Sequence, residues 1–326
     1  MNPADFADWT PIRVHWETGR AAVDWAHLGG ARFSEPFFDD TVERALRRPF
    51  TLLFRRQTGI DALCELQSAT PGLAPTGFIF HMSRCGSTLA AQALAASPQH
   101  IVMSEAGPID AVLRANWSNP GITDEQRIAW LRGLLGVLAR PVHGERRFFV
   151  KFDSWHALEL PLIQRAFPEV PWVFLYRDPL QVLVSHSRQR GPQMVHGLLP
   201  PAWLGMDWVA AGDCPPDEYA ARVLARICAA AVANDNACAC FLNYQRLPAA
   251  LWTEMAAHFG LELTDATRAA MRQAVQFDAK NPGMYFADDS AGKTAAATPF
   301  MHQLAEQWLM PIYSTMEARR PPCLTA

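Results

Sequence analysis

From Phe78 onward, short runs of apolar residues alternate with longer segments in which apolar residues recur every three or four positions. The short runs predict β-strands, and the longer segments predict amphipathic helices. Apolar strands that alternate with helices are typical of a parallel sheet covered by helices on both faces, so we predict a three-layer α/β domain. The predicted strands are residues 78–81, 101–103, 147–151, 172–176 and 239–243, and the predicted helices are residues 88–96, 123–139, 155–166, 179–189, 217–234, 247–259, 264–276 and 300–317.

The residues before Phe78 have a different pattern. The segment around Thr18-Gly19 alternates apolar and polar residues and predicts a small hairpin. Residues 40–43 (DTVE) have the form of a capping box and predict a helix that runs to Arg47. Residues 66–77 are rich in Pro, Gly, Ser and Thr and predict a linker. We therefore predict a small N-terminal extension, whose role the sequence does not indicate, and a main domain, at residues 1–75 and 76–326.

Composition limits the partners of the chain. Its formal net charge of −3 gives no indication of broad attraction to nucleic acid or to an anionic membrane, so any basic site is expected to be local. The chain has no apolar run of the roughly 18–20 residues that span a bilayer, and its first residues do not resemble a signal peptide. Its seven cysteines follow no metal-binding pattern. We expect a cytoplasmic protein without a membrane span or a bound metal.

The first predicted strand leads into the segment 81-HMSRCGST-88 and then into a helix. Backbone N–H groups in such a turn, together with the positive end of the helix, form an anion-binding site. An ATP-binding Walker A loop has lysine after its last glycine, where this chain has Ser87, and the nearest cation is Arg84. The pattern favours a P-loop type of nucleotide-binding domain over an ordinary strand–helix corner. The residues predicted to bind the anion are Ser83, Arg84, Cys85, Gly86, Ser87 and Thr88.

A second segment, 171-PWVFLYRDPLQVLVSHSRQRG-191, has Arg177 at the end of another predicted strand. Ligands of parallel α/β sheets lie beyond the carboxyl ends of the strands, so Arg177 is expected beside the anion-binding loop. Ser185 follows eight residues later, about two turns into the next helix. An arginine and a hydroxyl in this arrangement suit a second phosphate group. An ion pair between Arg177 and a surface carboxylate is the alternative.

Together, SRCGST and YRDPLQVLVSHS resemble the motifs of the sulfotransferase family, and the resemblance extends over residues 77–316. It implies that the donor is 3′-phosphoadenosine 5′-phosphosulfate, that the product is 3′,5′-diphosphoadenosine, and that no metal takes part. In this family the first motif binds the 5′-phosphosulfate. An arginine and a serine eight residues apart bind the 3′-phosphate, as Arg177 and Ser185 would here. Many members have lysine at the position of Arg84, whereas the tyrosylprotein sulfotransferases have arginine there.

The resemblance also implies roles in transferring the sulfuryl group to a hydroxyl or amine. Arg84 is expected to neutralise charge on the leaving group. Two carboxylates, Glu105 and Asp153, compete for the role of the base that takes the acceptor's proton. Glu105 is favoured, because tyrosylprotein sulfotransferases have a glutamate base at a similar interval. Lys151 is expected near the transferred sulfonate.

Two further positions resemble the family less specifically. Tyr244, in 241-FLNYQRLP-248, corresponds to a tyrosine that packs near the adenine. Lys293 lies where family members close a basic loop over the donor. The histidines are interpreted as packed or capping residues, namely His81, His156, His186 and His302.

The acceptor is not indicated by the sequence, and both a small molecule and a peptide stay open. The aromatic residues of the irregular segment 190–216 favour an apolar or aromatic acceptor. A homodimer is compatible with the sequence, which has no pattern that predicts one. Two other functions stay open: a non-catalytic module that binds 3′,5′-diphosphoadenosine, and a P-loop nucleotide kinase or NTPase, which the missing lysine disfavours.

Overall fold

A computed structural model describes residues 3–17, 19–277 and 289–319. Elements are numbered in chain order within these residues. The strands are β1 (Trp9–Glu17), β2 (Arg20–His27), β3 (Arg55–Gly59), β4 (Pro75–His81), β5 (His100–Ser104), β6 (Arg147–Lys151), β7 (Trp172–Tyr176) and β8 (Ala239–Asn243).

The helices differ widely in length. The α-helices of the described residues are α1 (Phe38–Leu46), α2 (Pro49–Leu53), α3 (Ala62–Ala69), α4 (Ser87–Ala95), α5 (Gly107–Leu113), α6 (Ala115–Ser118), α7 (Asp124–Leu138), α8 (Leu160–Ala166), α9 (Pro179–Arg188), α10 (Trp208–Gly212), α11 (Pro216–Ala233), α12 (Ala249–Trp252), α13 (Glu254–His258), α14 (Asp265–Ala274), α15 (Ser290–Ala295), α16 (Pro299–Leu304) and α17 (Met310–Ala318). Short 3₁₀ segments are Pro3–Phe6, Ser154–Glu159, Pro192–Met194, Pro201–Leu204 and Tyr244–Arg246, and Ala305–Leu309 is a π-helical segment.

The central element is a five-stranded parallel sheet in the order β5-β6-β4-β7-β8. Every residue of β5 and β7 is buried. Because successive side chains of a strand point to opposite faces, both faces of the sheet are covered. The predicted α/β fold with helices around a parallel sheet is confirmed, as are its five strands. The chain switches direction along the sheet beside β4, and a ligand crevice is expected at such a switch point.

Several predicted helices are interrupted, and in one of them a proline accounts for the irregular turn. The predicted helix 300–317 has a π-helical segment, Ala305–Leu309, just before Pro311. Proline has no N–H to continue the ladder of hydrogen bonds, which accounts for the irregular turn. The predicted helix 155–166 begins as a 3₁₀ turn and becomes α-helical only from Leu160. By contrast, α7 begins at the predicted capping box, in which Thr123 and Gln126 exchange hydrogen bonds.

The N-terminal region is larger than a hairpin and one helix. Strands β1, β2 and β3 form an antiparallel sheet, and α1, α2 and α3 accompany it. The predicted hairpin is present, although Thr18 lies outside the described residues. The predicted capping box at residues 40–43 is wrong, because α1 begins at Phe38, which is buried, and therefore includes Asp40 in its first turn. The predicted linker is also shorter than expected, since α3 continues to Ala69 and β4 begins at Pro75.

The N-terminal region shares one hydrophobic core with the parallel sheet. Trp25, Phe38 and Leu63 belong to the same buried cluster as the side chains of β4. Helices α3 and α7 approach closely at Gly133, where a Cβ atom would lie 2.9 Å from the backbone of Leu63. The division of the chain near residue 75 stays a prediction. No helix in the part of the chain described by the structure is long and apolar enough to cross a membrane.

Candidate functional site

The predicted anion-binding loop lies between β4, the central strand of the parallel sheet, and α4. The φ angles of Ser83, Arg84 and Gly86 are 81°, 53° and 83°. Only glycine adopts this left-handed region without cost, and a non-glycine residue there costs on the order of 1–3 kcal/mol. The N–H of Ser83 donates to Nδ1 of His81 at 3.0 Å, which helps to hold the loop in this form. The loop amides thus precede a helix N-terminus, which is the arrangement that binds anions.

Arg84 and Cys85 have different roles in the loop. The partly exposed guanidinium of Arg84 donates to the backbone oxygen of Gln189 at 2.8 Å, and burial lowers its pKa. Cys85 is fully buried, and its thiol donates to the backbone oxygen of Leu175 at 3.0 Å. Burial raises the pKa of Cys85 to about 12. This thiol is therefore protonated and supports the loop, while Arg84 remains on the surface of the cavity.

Glu105 follows β5 and has a left-handed φ of 50°. Its carboxylate forms an ion pair with Nζ of Lys151 and lies 3.3 Å from Nε2 of His81. Burial alone would raise the pKa of Glu105, but the charge of Lys151 and the hydrogen bond with His81 outweigh it and hold the pKa well below its usual range. His81 accepts a hydrogen bond at Nδ1, so its ring proton lies on Nε2. Glu105 is therefore a paired anion.

Lys151 lies behind Glu105 rather than on the cavity wall. Its side chain is fully buried, and Nζ lies 5.1 Å from the ring centroid of Phe37. Its partner is the carboxylate of Glu105. The sequence predicted Lys151 near the transferred sulfonate, but in this arrangement its charge is directed to Glu105.

Asp153 follows β6 and is the N-cap of the 3₁₀ turn Ser154–Glu159. Its N–H donates to Nδ1 of His156 at 3.2 Å, and Nε2 of His156 lies 2.9 Å from Oδ1 of Asp110. Burial raises the pKa of Asp153 to about 7; His156 and Lys151 oppose this shift, and the charges of Glu105 and Asp110 add to it. Asp153 is therefore a carboxyl group that changes protonation state near neutral pH.

Arg177, at the carboxyl end of β7, is buried, and two of its three guanidinium nitrogens donate hydrogen bonds. Its Nε donates to Oε1 of Gln181 at 2.7 Å, and its Nη2 donates to Oδ1 of Asp289 at 2.8 Å and to Oγ of Ser290 at 2.9 Å. The guanidinium also lies over the ring of Tyr244, 4.0 Å from its centroid. A buried arginine in such a cage keeps a fixed orientation.

Ser185 supplies a hydroxyl beside this arginine. It lies on α9, and its buried Oγ has no hydrogen-bond partner among the described residues. A buried polar group without a partner is uncommon, and a bound ion or water can satisfy it. Both Ser185 and Arg177 line the same cavity, which supports an anion site at this end.

Lys293 is buried and pairs with Asp289, with 2.6 Å between Nζ and Oδ2. Asp289 thereby bridges Lys293 and Arg177. Burial lowers the pKa of Lys293; its bond to Asp289 opposes the shift, and the charges of Arg177 and Arg84 add to it. A carboxylate of the chain thus lies between the cations that a bound anion would contact.

The two predicted anion-binding ends line one cavity of about 680 Å³. Tyr244 connects them: its ring contacts Arg177 on one side, and a Cβ atom added to Gly86 would lie 3.0 Å from its Cδ2 on the other. All the predicted site residues line the cavity except Lys151. These are Ser83, Arg84, Cys85, Gly86, Ser87, Thr88, Glu105, Asp153, Arg177, Ser185, Tyr244 and Lys293.

The cavity also contains residues that the sequence did not indicate. Phe37 comes from the N-terminal region, and Trp155 follows Asp153. The chain after α9 adds residues 188–193, which include Gln189, the partner of Arg84. Residues 190–193 belong to the irregular segment 190–216, for which the sequence predicted acceptor contacts, whereas no sequence signal indicated Phe37. Aromatic side chains therefore line the cavity together with the two candidate bases.

Comparison with solved structures finds sulfotransferases. The sulfotransferase domain from the curacin biosynthetic pathway is 17% identical, with a TM-score of 0.45 over 73% of this chain and 97% of that chain. The sulfotransferase domain from the Synechococcus PCC 7002 olefin synthase is 16% identical, with a TM-score of 0.41 over 77% and 97%. A sulfotransferase from Mycobacterium avium is 14% identical, with a TM-score of 0.46 over 77% and 80%.

No protein-family model matches the sequence, and no curated protein sequence matches it significantly. At identities of 14–17% the similarity to solved structures concerns the fold and not the activity. Function is therefore inferred from the side chains of the cavity.

Proposed function

We propose that the protein is a sulfotransferase that uses 3′-phosphoadenosine 5′-phosphosulfate as its donor. The observation that carries the proposal is the shared cavity, in which a helix-N-terminal loop and a buried arginine with an unpartnered serine hydroxyl face one space. A donor with phosphate groups at both its 5′ and 3′ positions matches two separate anion sites. The motif resemblance of SRCGST and YRDPLQVLVSHS to sulfotransferases supports the same choice.

In this proposal the 5′-phosphosulfate binds to the loop of residues 83–88. The 3′-phosphate binds to Arg177 and Ser185, and it satisfies the buried hydroxyl. Asp289 then gives up its contact with Arg177, because a carboxylate and a phosphate cannot share that guanidinium without repulsion. Lys293, which also lines the cavity, contacts the donor in this proposal.

In the transfer step an acceptor oxygen or nitrogen forms a bond to sulfur while the bond between sulfur and the bridging phosphate oxygen breaks. The negative charge that develops on that oxygen is neutralised by Arg84. The proton of the acceptor passes to a carboxylate. Asp153 suits this role better than Glu105, because its pKa of about 7 makes it both ionised and basic at neutral pH. Glu105 is paired with Lys151 and has a lowered pKa, so it is a weak base in this arrangement.

The acceptor would enter on the side where Phe37, Trp155 and Asp153 line the cavity. Two aromatic side chains beside the candidate base favour an apolar or aromatic acceptor. A cytoplasmic location remains part of the proposal. So does transfer without a bound metal ion.

The first experiment separates donor classes by thermal shift. We expect 3′,5′-diphosphoadenosine to stabilise the protein more than AMP or magnesium-ATP, because only the diphosphate reaches both anion sites. Stabilisation by magnesium-ATP in preference to the diphosphate would instead support a nucleotide kinase or NTPase and contradict the proposal.

The second experiment measures sulfuryl transfer from the donor to a panel of phenols, alcohols and amines. The variant Arg84→Ala should lower turnover on the order of 10²–10³-fold, as for other lost contacts to a developing charge. Arg188→Ala is a matched control, because Arg188 also lines the cavity but has no proposed contact with the bridging oxygen. Tight diphosphate binding without turnover on any acceptor would favour a non-catalytic binding module.

A further inference from the structure

The helix α2 exposes an unusual set of apolar side chains. Phe50, Leu52 and Leu53 of α2 are 54%, 52% and 74% exposed, and Phe54, which follows the helix, is 56% exposed. Only Thr51 interrupts this run of exposed apolar residues. Thr51 is buried and donates from Oγ1 to the backbone oxygen of His27 at 3.0 Å. Helix α2 is therefore held against the N-terminal sheet with its large apolar side chains turned outwards. Contiguous exposed apolar surface of this kind usually marks an interaction site.

Arginines lie on both sides of this apolar segment in the sequence 47-RRPFTLLFRR-56. All four are exposed. In the part of the chain described here, Arg47, Arg48 and Arg55 form no ion pair, while Arg56 lies over the rings of Phe6 and Trp9. The sequence has no acidic residue between Glu43 and Asp61. We call these residues, 47–56 without Thr51, the α2 patch; it is apolar at its centre and positively charged at its edges.

A second copy of the chain is a poor match for the α2 patch. In a twofold-symmetric dimer the same patch would face itself, so its arginines would meet arginines. The four apolar side chains expose roughly 400 Å² in total, since a fully buried phenylalanine covers about 150–250 Å². A stable interface needs about 800 Å² from each partner. Both charge and area therefore argue against self-association.

An anionic lipid surface matches both halves of the α2 patch. Phenylalanine and leucine side chains enter the boundary between headgroups and acyl chains, while arginines contact anionic headgroups. We propose that the α2 patch docks this protein on the surface of an anionic membrane, without spanning it. The proposal does not depend on the proposed sulfotransferase activity, since none of its residues lines the cavity.

The test is co-sedimentation of the full-length protein with phosphatidylcholine vesicles, prepared with and without phosphatidylglycerol. We expect binding to the anionic vesicles that weakens as salt is added, and little binding to the neutral ones. Leu53→Ser should weaken binding about tenfold, because it removes one inserted side chain. Arg47→Glu with Arg48→Glu should weaken it at least twentyfold, because each arginine near such a surface contributes about fivefold.

Matched controls distinguish a specific patch from general surface properties. Val209→Ser removes an apolar side chain that is 73% exposed, nearly as much as Leu53, but has no flanking pair of arginines. Arg146→Glu with Arg147→Glu reverses the charge of another adjacent, exposed pair. Neither control should change binding, and thermal melting should show that all variants are folded.

Three results would overturn the proposal. They are equal binding to neutral vesicles, binding that Leu53→Ser leaves unchanged, and loss of binding in the control variants. Concentration-dependent dimers that disappear in Leu53→Ser, without vesicle binding by the wild type, would assign the α2 patch to self-association instead.

Discussion

The substitution Asp153→Asn tests the protonation state on which the choice of base depends. Asp153 is buried, and its pKa is raised to about 7 in the folded protein, above the ordinary value of 3.8 for an aspartate. Between these values the folded protein holds a proton that the unfolded chain has released. The wild type therefore loses stability as the pH rises from 5 through 7. Asparagine stays neutral and is an equally good N-cap, so its variant avoids this loss.

The magnitude follows from the pH interval. From pH 5 to the pKa of about 7, the free energy of unfolding of the wild type falls by about 1.4 kcal/mol for each pH unit, or roughly 3 kcal/mol in total. The free energy of unfolding of Asp153→Asn, taken relative to that of the wild type, should therefore be roughly 3 kcal/mol higher at pH 8 than at pH 5. Urea unfolding at both pH values measures this difference. Asp207→Asn is the matched control, because Asp207 is also an N-cap but is exposed.

The same variant also tests the chemical role. With Asp153 as the base, kcat/KM should rise with pH and level off above about 7, and Asp153→Asn should lower it about 10²–10⁴-fold. A stability difference that is equal at pH 5 and pH 8 would refute the protonation argument. A wild-type pH profile that is flat from pH 6 to 8 would refute the role of Asp153 as base.

The remaining predictions concern donor binding and use isothermal titration calorimetry. Ser185→Ala should weaken the binding of 3′,5′-diphosphoadenosine about tenfold and leave the binding of AMP unchanged, because a hydrogen bond to a charged group is lost only at the 3′ end. Equal weakening of the binding of both ligands would contradict this. Asp289→Asn should strengthen the binding of the diphosphate several-fold, because the competing carboxylate is removed. Weaker binding would show that Asp289 assists binding of the donor instead. Gly86→Ala should abolish binding of both ligands, since its Cβ atom would lie 2.7 Å from Leu247 and 3.0 Å from Tyr244 at a φ of 83°; unaltered affinity would exclude the loop as an anion site.

The parallel sheet could be predicted because its signals are local. Each of its five strands is a short apolar run, and burial on both faces requires that composition. The N-terminal sheet was partly missed because β3 has the sequence RRQTG, in which all residues but Thr58 are exposed. A sheet-edge strand whose side chains are mostly exposed and polar has no hydrophobic periodicity from which it could be predicted.

The positions of the candidate site residues could be predicted from motifs, but their electrostatic roles could not. Glu105 and Asp153 both follow strands, so the residue pattern leaves both open as the base, and only the family resemblance favours Glu105. The difference between them comes from Lys151, which forms a close ion pair with Glu105 and, despite burial, lowers its pKa. Among the residues that the structure describes, the carboxylate of Asp153 has only Nδ1 of His156 as an ion-pair partner, at 3.8 Å, and burial raises its pKa. The contact of Asp289 with Arg177 likewise joins residues 112 positions apart, which no local pattern can reveal.

Because Phe37 packs against Lys151, the N-terminal region forms part of the surroundings of the ion pair between Lys151 and Glu105. Removing that part would admit water to a buried ammonium group and weaken the ion pair that keeps Glu105 deprotonated. A shortened protein beginning near residue 76 would therefore hold Glu105 and Lys151 less firmly in place.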